Sequence, residues 1–193
     1  MSKLETNTID NISGSSTLTI GDSNTSTITL KSGATLTNFP DNTPAFHAYL
    51  SANQTLSNAT FTKVAFNTEL YDTNNFYDNS TNYRFTPTIA GKYIVYSGLR
   101  HSTENNTDLQ ISTLALQKNS SYYAYSQHNR GNSTARDGSQ FISIAIDFNG
   151  SSDYVEIYGR INGSNTLTLP GSSDTSASSI QQNCFFGAYK LIE

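Results

Sequence analysis

Cysteine is nearly missing from this sequence: Cys184 is the only one in 193 residues. No internal disulfide framework can form, so stability has to come from burial and from association with other chains. Charge is also scarce. Charged residues make up 13%, the formal net charge is −4, and no stripe gathers the Lys and Arg residues together. That excludes a phosphate-binding surface, because non-specific nucleic-acid affinity comes from clustered cations. Long apolar runs are absent, which excludes a helical membrane span and predicts no membrane insertion. The opening MSKLETNTID lacks the apolar centre of a signal peptide, so a chain made in a cytoplasm and not individually exported is expected. Sequons such as Asn53-Gln54-Thr55 and Asn58-Ala59-Thr60 recur; in so Asn-, Ser- and Thr-rich a chain they arise by chance, and glycosylation is set aside.

Helix-forming patterns are the next absence. Few stretches hold the Ala, Leu, Glu and Lys density, or the three-to-four spacing, that an amphipathic helix needs. A parallel α/β architecture is therefore excluded. Catalytic constellations are missing as well. His47, His101 and His128 lie far apart, and none has a second His or Cys at metal-ligand spacing, so no zinc site is expected. No nucleophile elbow, phosphate-cradling loop or paired catalytic carboxylate occurs, and the chain is expected not to be an enzyme. Cys184 sits among aromatics and reads as a buried, inert thiol. Glu69, Asp72 and Asp78 are close enough to hold calcium across a loop, with solvated carboxylates as the simpler reading. No other cofactor is implied.

What is present is Ser, Thr and Asn in abundance, with 12 Tyr and 10 Phe as the main bulky residues. This mixture favours strands joined by polar turns. The first forty residues carry short alternating runs, at Ser16 to Ile20, Ser26 to Leu30 and Ala34 to Thr37. Two apolar side chains per run cannot form a core alone, so residues 1–43 are expected to be a short β-rich attachment segment. A polar leader without fixed structure is the alternative. Leu4, Ile9 and Ile12 are its candidate docking residues.

Residues 44–193 read as one all-β domain. Strands are expected at Thr62 to Phe66, Gly91 to Tyr96, Leu109 to Leu116, Phe141 to Phe148, Tyr154 to Ile161 and Cys184 to Ile192. Their spacing, and the Gly, Asn, Ser and Asp clusters between them, indicate a sandwich or jelly roll. Phe141 to Phe148 places Ile142, Ile144, Ile146 and Phe148 on one face. The closing strand is bulky on both faces, with Phe186 on one and Phe185, Tyr189 and Leu191 on the other. A sandwich strand needs one apolar face, so a neighbouring subunit is expected to cover the second. Tyr154 and Tyr158 make the same demand of their strand. Phe185, Tyr189, Tyr154 and Tyr158 are thus the candidate interface residues.

Between two of these strands, Tyr122, Tyr123 and Tyr125 precede His128, Arg130 and Arg136 in a stretch rich in Ser, Asn and Gly. As a loop, rigid aromatics beside adaptable polar groups suit recognition of a glycan or a protein. As a strand, the tyrosines would pack on the next subunit. The residues leave both readings open.

The opening Pro44-Ala45-Phe46-His47-Ala48-Tyr49-Leu50 resembles the first strand of the complement component 1q globular head. Phe66-Asn67, Asp72, Tyr77, Phe85, Gly91 and Tyr93 follow the order of that family's central signature. Asp153-Tyr154-Val155 and Phe186 to Ile192 resemble its last two strands. Tyr77 and Phe85 stand one residue further apart than usual, and Val95 and Ser97 replace common aromatics. The resemblance covers about three quarters of the chain and implies the trimeric jelly roll shared with tumour necrosis factor, with Phe85 and Tyr93 covering opposite ends of one core.

Met1 to Gly14, followed by Thr-rich runs and Ser32-Gly33-Ala34-Thr35-Leu36, resembles the start of tail-fibre and other fibrous virion proteins of marine-type bacteriophages. That resemblance implies a virion protein, made in the host cytoplasm and bound to other virion proteins through its N-terminal segment. Its outward domain would contact a host receptor or tile the particle as a decoration protein. The competing expectation is a soluble, trimeric, lectin-like module that binds a glycan or a protein.

Overall fold

The structure is a computed structural model describing residues 42–103, 109–131, 135–163, 166–172 and 182–192. Residues 1–41, and with them Leu4, Ile9 and Ile12, lie outside the described residues. Among the described residues thirteen strands make two antiparallel sheets and no helix occurs. In chain order they are β1 (Ala45–Tyr49), β2 (Gln54–Leu56), β3 (Thr62–Lys63), β4 (Thr68–Asp72), β5 (Tyr77–Asp78), β6 (Arg84–Phe85) and β7 (Gly91–Thr103). Then follow β8 (Ile111–Lys118), β9 (Ser121–Asn129), β10 (Asp137–Phe148), β11 (Val155–Asn162), β12 (Leu167–Leu169) and β13 (Phe185–Lys190).

The first sheet runs β2-β12-β7-β13-β1-β4, with β10 along the other edge of β7. The second runs β5-β6-β11-β8-β9, with β3 also on β11. Strict alternation sorts β7: Tyr93, Val95, Ser97, Leu99 and His101 are buried, whereas Lys92, Ile94, Tyr96 and Arg100 face outward. Side chains of period two leave one face apolar, and two such faces closed together form the core.

That core is aromatic at one end. Phe46 stacks on Tyr77 and on Phe85, each at 4.6 Å, and meets the edge of Phe186 at 5.0 Å. Edge-on and offset contacts of this kind add roughly 0.5–1.5 kcal/mol each beyond area burial. Phe85 and Tyr93 do not cover opposite ends: β6 of the second sheet and β7 of the first both turn these rings into the core, where their centroids lie 5.7 Å apart. The buried hydroxyls are satisfied, Tyr77 donating to the Phe66 carbonyl and Tyr93 to that of Ile89. On the open side, Gln140 pins the two sheets together. Its Nε2 donates to Ser112 Oγ at 3.1 Å, and its Oε1 accepts from Ser126 at 2.8 Å.

Three expected elements differ in detail. In the run Thr62 to Phe66 the strand itself ends at Lys63, although the Val64 N–H still donates to the Ile157 carbonyl at 2.9 Å and Val64 and Phe66 stay fully buried. The strand expected from Leu109 to Leu116 is β8, two residues further on. The Tyr122 to Arg136 stretch is not one loop: its first part is strand β9, antiparallel to β8. The hairpin turns through Asn119 and Ser120, both with positive φ (51° and 64°), the backbone that matches strand twist in a two-residue turn.

Candidate functional site

Two outer faces carry the exposed aromatic residues. On the outer face of the first sheet, β1, β13 and β7 lie side by side, and their outward residues form a continuous patch. His47 lies 5.7 Å from Phe185, 5.9 Å from Tyr96 and 6.2 Å from Tyr71, ring to ring. Tyr96 lies 6.5 Å from Tyr189, and Phe141 of β10 lies 6.4 Å from Phe185. Two of these rings lie flat because glycine faces them. Phe185 stands opposite Gly98 and Tyr96 opposite Gly187 in the β7–β13 register. A Cβ at Gly98 would come within 2.6 Å of the Phe185 ring, and one at Gly187 within 2.4 Å of the Tyr96 ring.

A hydrogen-bonded line runs through the patch. His47 Nε2 lies 2.7 Å from Gln182 Oε1 and so carries the proton, which leaves Nδ1 to accept from the Tyr96 hydroxyl at 3.0 Å. Burial pushes the Tyr96 hydroxyl pKa well above the usual range, and the neighbouring Tyr71 hydroxyl adds to this. The patch is therefore polar at its centre and apolar around it. Nothing in sequence spacing announces His47, Tyr71 or Tyr96, since β1, β4 and β7 are far apart in the chain.

The four candidate interface residues do not share a face. Phe185 and Tyr189 lie in this patch, but Tyr154 and Tyr158 belong with the second sheet and are already occupied. Arg84 covers the Tyr154 ring at 4.5 Å, and the Tyr154 and Ser120 hydroxyls lie 2.7 Å apart. Tyr158 donates to Glu156 at 3.2 Å, and Glu156, only 3% exposed, pairs with Lys63 at 2.7 Å. Burial and the Glu156 charge push the Tyr158 hydroxyl up to about 12. Both rings are thus held by contacts within the chain, on a different face from Phe185 and Tyr189.

On the outer face of the second sheet, β11, β8 and β9 set three lateral rows. These are Arg160–Thr113–Gln127, Tyr158–Ala115–Tyr125 and Glu156–Gln117–Tyr122. A bulge on β9 at Tyr123 shifts the register between Leu116 and Gln117. That extra residue brings Tyr122 and Tyr125 onto one face. They are 58% and 70% exposed. With Phe61, Thr113, Ala115 and Gln127 they line a groove of about 230 Å³.

Of the remaining candidates, Tyr123 and His128 are exposed on β9, and Arg136 is exposed beyond it. Arg130 is half-buried and donates to the Asp137 carbonyl at 3.1 Å, so it braces the chain beside β10. The structure thus brings Tyr122 and Tyr125 together and leaves the charged members of the group elsewhere.

The carboxylates considered for calcium point at N–H groups. Asp72 accepts from the backbone of Asn74 and Tyr77, and Asp78 from that of Ser80, Thr81 and Asn82. The Asp78 carboxyl is held well below its usual range by those bonds, that of Thr81 foremost. Glu69 is shifted upward by burial and by the Asp72 charge. Among the described residues no three His, Cys, Asp or Glu side chains converge on a metal site. Cys184 is buried, its thiol pushed up to about 12 by desolvation.

The paired sheets, with β1, β13 and β7 adjacent and β9 reached by a hairpin, match solved structures over the full length of those domains. The globular domain of zebrafish complement 1qA superposes with a TM-score of 0.54 at 15% identity, covering 78% of this chain and 98% of that domain. The fold is a complement 1q and tumour necrosis factor jelly roll. The tumour necrosis factor Eiger from S. frugiperda gives a TM-score of 0.56 at 11% identity, over 79% of this chain and 95% of that one. Murine APRIL gives 0.50 at 12%, over 76% and 98%. No family model and no curated protein sequence matches the chain.

Proposed function

We propose that the chain is a non-enzymatic, homotrimeric virion protein of a bacteriophage, a short fibre or a surface decoration. Its jelly roll faces outward to contact a host receptor, and residues 1–43 attach it to other virion proteins. The observation that carries the reading is the outer face of the first sheet. His47, Tyr71, Tyr96, Phe141, Phe185 and Tyr189 form a flat aromatic patch on a fold for which trimer formation is typical. Large apolar patches on soluble chains mark contact surfaces, and closed threefold association covers three copies of the same patch without leaving one free. The phage assignment rests on the resemblance of the leader. Mass spectrometry of purified particles tests it: the chain in stoichiometric amounts supports the virion role, and its presence only in the unassembled fraction overturns it.

The second reading, a soluble lectin-like trimer unrelated to a particle, is favoured by the aromatic groove on the opposite sheet. That groove lies within one protomer, so it serves either reading.

A further inference from the structure

We infer that the groove over Ala115 on the outer face of the second sheet binds one acidic pyranose unit of a glycan. The inference rests on the proposed outward-facing role and gives that role a ligand class. Three features of the groove specify the ligand.

The first is shape. Ala115 is the small residue at the middle of the three rows, and its neighbours on that face are larger on every side. Pockets that enclose whole drug-sized ligands span roughly 300–1,000 Å³. A groove of about 230 Å³ suits a single ring held at an open surface.

The second is the aromatic wall. Tyr122 and Phe61 contact each other at 5.1 Å with their planes tilted by 53°, and Tyr125 stands beside them on the same face. The rings give rigid area at little entropic cost, and their electron-rich faces attract the C–H groups of a sugar ring. The bulge at Tyr123 exists at the place where it turns two tyrosines to one side. Bulges re-aim side chains in this way.

The third is charge. Arg160 lies in the same lateral row as Thr113 and Gln127, its guanidinium 5.6 Å from the centre of the Phe61 ring and its Nε donating to the Ala59 carbonyl at 3.0 Å. Among the described residues Lys63 pairs with Glu156, Lys92 with Asp147, Arg100 with Asp137 and Lys118 with Asp153, and Arg160 stands in none of these pairs. Glu156, on the same face, is neutralised by Lys63. A chain of net charge −4 therefore presents at the rim of an aromatic groove an oriented cation with no partner acid among the described residues. A planar guanidinium matches a carboxylate in a two-pronged hydrogen bond. Thr113 Oγ1 donates to Gln127 Oε1 at 3.1 Å, which leaves the Gln127 amide N–H groups for the sugar hydroxyls. A pyranose bearing a carboxylate satisfies all three features together.

Isothermal titration calorimetry of the full chain tests this with tri-galacturonic acid and its methyl ester, alongside Arg160→Gln, Arg160→Lys and Tyr125→Ala. The acid is expected to bind, and the ester to bind roughly tenfold more weakly. Arg160→Gln should abolish that preference and Arg160→Lys retain part of it. Tyr125→Ala should weaken both ligands by roughly tenfold or more. Equal affinity for acid and ester, or no saturable binding of either, overturns the inference. Light scattering on the same samples separates the two readings. A monomer that still prefers the acid contradicts only the trimer, and a trimer that binds neither ligand contradicts only the groove.

Discussion

Phe185 lies flat against Gly98, its directly opposite residue on β7, with no room for a Cβ between them. A residue at 98 with any side chain would stand the ring up and roughen the face proposed to meet a second subunit. Gly98→Ala is expected to leave the sandwich folded and weaken assembly, since the strain falls on an outward side chain. Tyr189→Asp is expected to separate the subunits altogether, because association would bury an unpaired charge. Sedimentation velocity at a series of concentrations reads both. Unchanged association in Tyr189→Asp would place the interface elsewhere.

His101 is buried between the sheets, its Nε2 donating to the Thr113 carbonyl at 3.1 Å and its Nδ1 without a partner. Desolvation lowers its pKa to about 4, opposed by weaker hydrogen-bond contributions. The unfolded chain, with an ordinary imidazole near 6.5, binds more protons than the folded one between these values. Stability is thus complete above about pH 6.5 and is lost as pH falls toward 4. At about 1.4 kcal/mol per pKa unit the loss is on the order of 3 kcal/mol. Urea denaturation from pH 7 to 4.5 should show a shallower decline in His101→Gln than in the wild type. Parallel slopes would remove His101 from the account.

Glu156 is the most deeply buried carboxylate described, and Lys63 is its counter-ion. Lys63→Met leaves the charge with the Tyr158 hydroxyl alone and is expected to cost on the order of 3 kcal/mol. The double variant Lys63→Met, Glu156→Leu should recover most of it, because no buried charge then remains unpaired. Chemical denaturation of the three proteins measures the cycle, and a double variant as unstable as the single one would contradict it.

The parts of the fold that depend on alternation along one strand were legible in the sequence. Phe186 inward and Phe185 outward follow from period two, as do Ile146 and Phe148 on β10. What escaped depends on neighbours distant in the chain. His47 and Tyr96 are 49 residues apart and meet only because β13 lies between their strands. The partners of Tyr154 and Tyr158 escaped for the same reason: Arg84 lies on a two-residue strand, and the Glu156 that Tyr158 bonds is paired by Lys63 from another, and strands that short have no periodic signal. The Tyr122 stretch stayed ambiguous because the bulge at Tyr123 breaks the alternation that would have marked a strand.

Deleting residues 1–39 is expected to leave the jelly roll folded, since a continuous core runs from Phe46 to Ala188 among the described residues, and to abolish attachment to the particle. Circular dichroism and co-sedimentation with particles check the two halves. A truncated chain without β structure would make the leader part of the domain; one that still co-sediments would move attachment into it.

The central claim is that the outer face of the first sheet is closed by two further copies of the chain. Multi-angle light scattering of the full chain at micromolar concentration tests it most directly. The account predicts a single species of three times the 21.1 kDa chain mass; a species of 21.1 kDa that persists at the highest concentration contradicts it.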